Sequence, residues 1–275
     1  MMDVKSVLKD IPVFDNVAFD KVEIKALKGL SNKNFLLQYS DDKNNEVRCV
    51  LRIPQEETDS NVNRVNEKHN AALAYKLGFA PKILWQNEQG VSLTEHIDDT
   101  DAFSIQSFEN LAAVIKKLHN CNESFKGSLL AEDIAKHFDH YLGLCTEHDK
   151  RALKPAHQNI LDLCEKVKAD EREPVPSHID LVAENILIKD SKVWLIDWEY
   201  SAMASPFWDL ASLSNNLKFN EKHSRDLLQI CLSSESEKDY ECLKSYQYLE
   251  RKLALYWLKA KKGNVDSTPL SRTAL

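Results

Sequence analysis

The chain has 275 residues, 43% of them hydrophobic and 29% charged, with only 6 Gly and 8 Pro. That balance excludes a disordered or collagen-like polymer and suits one large domain or two lobes. A formal net charge of −7 argues against a nucleic-acid partner and sits more easily with a cationic substrate.

Six cysteines, at positions 49, 121, 145, 164, 231 and 242, form no C-x-x-C pair and no zinc-ligand spacing with His. They read as small buried residues in a reducing compartment. No apolar run approaches the length needed to cross a bilayer. A cytoplasmic protein without a membrane partner, monomeric or homodimeric, is expected.

The strand signals fall in the first ninety or so residues. Segments 22–27 and 34–39 flank a polar turn at 28–33, and a second turn at 41–45 leads to a third strand at 47–53, which together predict an antiparallel meander. From 61 to 77 the spacing becomes helical, with Val62, Val65, His69, Ala72 and Leu73 on one face and Gly78 and Pro81 as a stop. Short strands are expected at 82–85 and 90–94. The acidic segment 95–102 has no periodicity and reads as a connection.

Beyond it the chain is mainly helical. Phe108, Leu111, Ala112, Ile115, Leu118 and His119 recur at i, i+3, i+4 behind a Ser107 cap. Further helices are predicted at 132–144, 149–167, 207–217, 224–232 and 236–262, with fraying after 263. The single strand signal in this half lies at 186–196, where Ile186-Leu187-Ile188 and Val193-Trp194-Leu195-Ile196 flank a turn at Asp190-Ser191.

That hairpin follows His178, Asp180 and Asn185, spaced H-x-D-x-x-x-x-N. The spacing resembles the catalytic loop of protein kinases, whose Asp receives the substrate hydroxyl proton and whose Asn holds magnesium. A short hairpin returns the chain to its start, so Asp197 is expected beside Asp180 and Asn185. His178 reads as a backbone brace.

The order of segments resembles the choline/ethanolamine kinase family, of the bacterial choline kinase type, within the aminoglycoside phosphotransferase and protein-kinase-like superfamily. The motifs that carry the resemblance are Gly29-Leu30-Ser31-Asn32-Lys33-Asn34, Leu51-Arg52-Ile53-Pro54, Asn63-Arg64-Val65-Asn66-Glu67-Lys68, Asp197-Trp198-Glu199-Tyr200 and Pro206-Phe207-Trp208-Asp209-Leu210. It implies an α+β, two-lobed kinase-like fold. The N-terminal lobe, 1–95, would be a small antiparallel sheet plus one helix that binds nucleotide. A hinge at about 95–101 would lead to a helical catalytic and acceptor-binding lobe, 96–275.

The resemblance implies an ATP- and Mg²⁺-dependent kinase acting on the hydroxyl of a small cationic alcohol, choline or a related amino alcohol. Asp180 would orient and deprotonate that hydroxyl, and Asn185 and Asp197 would ligate the metal. Gly29, Ser31, Asn32, Arg52 and its partner Glu67 would hold the phosphates, and backbone near Glu95 and Ile97 would pair with adenine. Tyr200, Tyr256 and Trp257 would face the acceptor, with Trp198 and Trp208 as further aromatics or core residues, and Glu199 would face the acceptor cation, assist a second metal or hydrogen-bond in the cleft wall. Asp209 would brace the catalytic loop.

Two departures weaken choline specifically. Asn216 stands where choline kinases usually carry Glu, and Tyr256-Trp257 replaces a pair of tryptophans. Ethanolamine, thiamine or an aminoglycoside are alternative acceptors, and an inert nucleotide-binding module is the alternative outside catalysis. No Asp-Phe-Gly or Ala-Pro-Glu segment follows Asp197, which disfavours a protein substrate.

Overall fold

The computed structural model describes residues 4–27, 32–41, 43–55, 62–169 and 172–263. A short helix α1 (Val4–Leu8) and two single 3₁₀ turns precede three strands, β1 (Glu23–Leu27), β2 (Asn32–Ser40) and β3 (Glu46–Pro54). Helix α2 (Arg64–Lys76) follows, then β4 (Ile83–Gln86), β5 (Ser92–Glu95) and helix α3 (Phe108–His119). The remainder runs β6 (Ser128–Leu129), α4 (Ala131–Leu144), α5 (Glu147–Ala169), β7 (Val175–Ser177), β8 (Ile186–Lys189), β9 (Lys192–Leu195), β10 (Ala202–Ala204), α6 (Pro206–Asn216), α7 (Glu221–Leu232) and α8 (Glu237–Gly263). The class is α+β, as expected.

The described residues fall into two compact units, bounded as Met1–Val114 plus Ala183–Ser201 and as Ile115–Val182 plus Ala202–Leu275. In the first, five antiparallel strands are ordered β1-β2-β3-β5-β4. Strand alternation decides what this sheet does. On β3, Cys49, Leu51 and Ile53 point into a core with Leu8, Ile11, Phe14, Leu37 and Leu93, and Arg52 therefore points to the opposite face. The meander is the predicted one, but β2 starts at Asn32, two residues before the expected strand, and β5 includes Glu95.

The ends of α2 follow the local chemistry. Asn63 caps it by accepting from the backbone N–H of Val65 and Asn66. Gly78, at φ +83°, closes it, with Phe79 N–H returning to Ala74 O at 2.8 Å. Its inward face differs from the predicted one: Glu67, Asn70 and Ala74 are buried, whereas Val65 is 55% exposed. The buried side of α2 carries polar residues because they meet polar partners, Glu67 two arginines and Asn70 the Ser201 carbonyl and hydroxyl.

The hairpin β8–β9 also belongs to the first unit, paired from Ile186↔Leu195 to Lys189↔Lys192. Leu195 N–H donates to Phe79 O at 2.7 Å, and Asp101 bridges Ile188. The second unit is mainly helical, with α4, α5, α6 and α8 packed around Phe138, Phe207, Tyr246 and Tyr256. It also holds a three-stranded sheet, β6-β10-β7, that the sequence reading lacks. Its strands are two or three residues long and one contains Pro176, so no alternation is long enough to be legible. Among the described residues, no helix is long and apolar enough to cross a membrane.

Candidate active site

The geometry is clearest at the mouth of the β8–β9 hairpin. Beyond the last strand pair, Ile196 N–H donates to Asn185 O at 3.0 Å, so Asn185 and Asp197 flank the same open end. Asn185 is buried. Asp197 adopts φ +64°, a left-handed conformation that Asp tolerates better than most residues, and this turns the chain sharply after the strand.

Arg52 reaches this mouth from β3. Its Nη1 lies 2.5 Å from Asp197 Oδ1, while its Nη2 binds Glu67 on α2 and the Gly90 carbonyl at 3.3 Å. Arg64, one turn before Glu67, donates through Nη1 to Glu67 Oε2 at 2.6 Å and to Glu199 Oε2 at 3.2 Å. Asn32 Nδ2 donates to the same Glu199 oxygen at 3.3 Å and approaches Asp197 Oδ2 at 3.5 Å. Two guanidiniums thus meet three carboxylates, a cluster with one negative charge in excess.

Burial alone would weaken the hold of Arg52 on its proton, but Glu67, Asp197 and Glu199 reverse that and raise its pKa. For Glu199, burial and then the neighbouring Asp197 charge raise the carboxyl above its ordinary range, against the pull of Arg52 and Arg64. The Oδ1 of Asn32 and the Nε of Arg52 are buried with no hydrogen-bond partner among the described residues. They are polar atoms with capacity to spare at the expected phosphate position.

In the helical unit, the catalytic-loop motif is braced by a single carboxylate. Asp209, fully buried on α6, accepts from His178 N–H at 3.0 Å through Oδ2 and from Ile179 N–H at 2.8 Å through Oδ1. Ile179 sits at φ +76°, a costly conformation for a β-branched residue, and its carbonyl is held by Trp208 Nε1 at 3.2 Å. His119 Nε2 donates to Asp209 Oδ2 at 3.0 Å from α3. Leu181 N–H donates to Ser212 Oγ at 3.1 Å. Asp180, half-buried, is therefore carried on backbone fixed immediately before and after it.

The remaining predicted residues are placed less uniformly. Gly29 and Ser31 lie outside the described residues. Glu95 is in β5 opposite Cys49, not in a free connection, and its carboxylate accepts from Lys82 N–H at 2.8 Å; Ile97 is half-buried. Tyr200 is half-buried. Trp198 and Trp208 are core residues, the former donating to Leu195 O at 3.0 Å. Tyr256 and Trp257 do not share surroundings: Trp257 is half-buried under Lys261, whereas Tyr256 is 1% exposed and stacks on His157. Burial pushes the Tyr256 hydroxyl up to about 12. Glu199, for which the sequence leaves a cation-facing, a metal-assisting and a hydrogen-bonding role open, accepts from Arg64 and Asn32.

A family model described as "Phosphotransferase enzyme family" matches residues 23–244, most of the chain. The chain belongs to the phosphotransferase enzyme family.

Relatives of this phosphotransferase include Protein LicA of Haemophilus influenzae, 28% identical over 284 residues that cover 96% of this chain and 80% of the relative. Among solved structures, choline kinase LicA from Streptococcus pneumoniae is similar with a TM-score of 0.81 and 22% identity, covering 97% of this chain and 93% of that one. A structure of LicA in complex with AMP is similar with a TM-score of 0.76 and 21% identity, covering 97% and 93%. At such identities, these two likenesses establish the fold.

Sequence reasoning missed three residues of the charged cluster and its supports. Arg64 lies off the helix face that periodicity marked as apolar. Asn70, fully buried, donates to Ser201 O at 2.9 Å and so ties α2 to the chain after Glu199. Gly90, at φ +83°, leaves room for Arg64: a Cβ there would lie 2.6 Å from its Cδ. One signal was available, since Arg64 stands three residues before Glu67, the spacing that places two side chains on one helix face.

Proposed function

We propose that this small-molecule kinase transfers the γ-phosphate of ATP, as its magnesium complex, to the hydroxyl of choline, giving phosphocholine. The observation that carries the reading is the hairpin mouth, where Asn185 and Asp197 flank one opening and the Arg52–Glu67 pair reaches it.

The residues there fit magnesium. The donors at the mouth are oxygens of an amide and a carboxylate, as a hard cation requires, and the cluster has negative charge in excess. Among the described residues no three His, Cys, Asp or Glu side chains are grouped as a metal set. Magnesium needs none, since it is commonly held by one or two protein groups plus substrate phosphates. Asn185 and Asp197 would hold it, and when bound it would neutralise charge on the transferred group.

The chain's own residues do the rest. Arg52, kept extended by Glu67, would bind phosphate oxygens through its fork of N–H donors. Asn32, with Gly29 and Ser31, would supply further donors, and backbone at Glu95 and Ile97 would meet adenine. Asp180 would align the acceptor hydroxyl and take its proton, positioning being the larger need in phosphoryl transfer. Tyr200 and Trp257, both half-buried, would supply aromatic faces to a quaternary ammonium, which at Trp257 would take the place of Lys261 over the ring. Residues 1–95 would then serve as the nucleotide lobe and 96–275 as the catalytic and acceptor lobe.

Support for choline over other alcohols comes from the choline kinase among the structural relatives, whereas the net charge of −7 suits every cationic acceptor alike. ADP release measured with choline, ethanolamine, thiamine and an aminoglycoside tests it. Choline should give the highest kcat/KM, and equal rates on all four would refute the assignment.

A further inference from the structure

Cation recognition needs a carboxylate whose charge is not already countered. Glu199 does not meet that condition, because Arg64 is 3.2 Å from its Oε2 and Arg52 is 3.8 Å away. The helical unit holds another. Glu250 on α8 faces the end of α6, where Asn215 Nδ2 donates to its Oε2 at 2.5 Å and Asn216 Nδ2 approaches its Oε1 at 3.4 Å. Both donors are neutral amides. The adjacent Arg251 donates to the Asn215 Oδ1 at 2.5 Å, so its charge acts on Glu250 from beyond the amide and is the smallest of the influences on that carboxylate.

Such a carboxylate is held in place by neutral donors. Burial is the largest cause acting on it and raises its pKa, against the amide hydrogen bonds and the charge of Arg251. Its position relative to the catalytic loop is also fixed. Asn216 Nδ2 donates to Ser212 O at 2.9 Å and to its Oγ at 3.3 Å, and that Oγ accepts from Leu181 N–H, the residue after Asp180. Glu250, Asn216 and Ser212 thus form a hydrogen-bonded row ending at the backbone that carries Asp180.

We propose that Glu250 is the anionic wall of the acceptor subsite and takes the ammonium group of the alcohol whose hydroxyl Asp180 orients. The inference rests on the choline reading and adds the group that senses the charge. A quaternary ammonium cannot donate a conventional hydrogen bond, so it is drawn by field and by aromatic faces, and a half-buried carboxylate fixed by amides supplies that field.

The test compares choline with 3,3-dimethylbutan-1-ol, its uncharged isostere. Wild-type enzyme should prefer choline, and Glu250→Gln should raise KM for choline at least about tenfold with kcat and KM for ATP little changed, while the isostere is unaffected. A structural role would weaken both alcohols alike. Asn216→Glu combined with Glu250→Gln moves the carboxylate across the contact and should recover the preference, a second arm if the single variant folds poorly. Wild-type enzyme that leaves choline unphosphorylated overturns the functional reading and this inference with it. Turnover of choline by the wild type, with an unchanged preference in Glu250→Gln, overturns the inference alone.

Discussion

Arg52 Nη1 and Asp197 Oδ1 lie 2.5 Å apart although 145 residues separate them in the chain, and Arg52 also binds Glu67. One guanidinium therefore joins the third strand, the first long helix and the segment after β9 that carries Asp197. Arg52→Ala leaves buried Glu67 with Arg64 as its remaining counter-charge and should cost about 1–3 kcal/mol in denaturant unfolding. Arg52→Lys keeps charge but loses the fork, and should raise KM for ATP at least about tenfold while unfolding nearer to wild type. Equal KM values for ATP in wild type and the lysine variant would contradict the phosphate role.

Gly90→Ala is the sharpest test of the packing around that cluster. The added Cβ meets Arg64 Cδ at 2.6 Å, and the residue must hold φ +83°. The backbone penalty alone is about 1–2 kcal/mol. A drop in melting temperature with a weakened Mg-ATP affinity is expected, because a displaced Arg64 releases both Glu67 and Glu199. A variant that melts and binds nucleotide like wild type would show that Arg64 does not depend on this space.

The Asp209 brace makes a separate prediction. His119→Gln keeps a donor near the Nε2 position and should retain most of the turnover, whereas His119→Leu removes it and should cost about 1–3 kcal/mol of stability. In the leucine variant kcat should fall with KM for ATP unchanged, measured well below the melting temperature. Full kcat in the folded leucine variant would assign His119 to stability alone.

Glu250 gives the pH dependence. Burial holds its carboxyl above the ordinary 4.5, so the folded state keeps a proton that the unfolded chain releases. The stability tied to that proton is present below pH 4.5 and is lost as pH rises through the raised folded value. Glu250→Gln has no such loss. The melting temperature of the variant minus that of wild type should grow from pH 4.5 towards neutrality, and a flat difference would refute the assignment.

How much of this was legible in the sequence depended on the range of the interactions. The hairpin was readable because fixed spacing from Asp180 to Asn185 and a two-residue turn bring Asn185 to the mouth with Asp197 by local geometry alone. The meander was readable from alternation. Helix α2 was found, but its face was misassigned, since Glu67 is buried against the Arg52 charge from β3 and Asn70 against the neutral Ser201 from beyond β9. Glu250 carried no local signal at all, because its partners Asn215 and Asn216 lie on another helix 34 and 35 residues away. Strands β6, β7 and β10 escaped for the opposite reason, being too short to show a period.

The proposed reaction moves the γ-phosphate of ATP to choline, with Asp180 receiving the hydroxyl proton. Phosphorus NMR of the purified protein with Mg-ATP and choline tests it most directly. Wild type should convert the γ-phosphate signal to phosphocholine in step with ADP. Asp180→Asn should bind nucleotide with unchanged affinity and form no phosphocholine on the same timescale. ADP accumulating with inorganic phosphate in place of phosphocholine, or undiminished turnover in Asp180→Asn, would contradict the account.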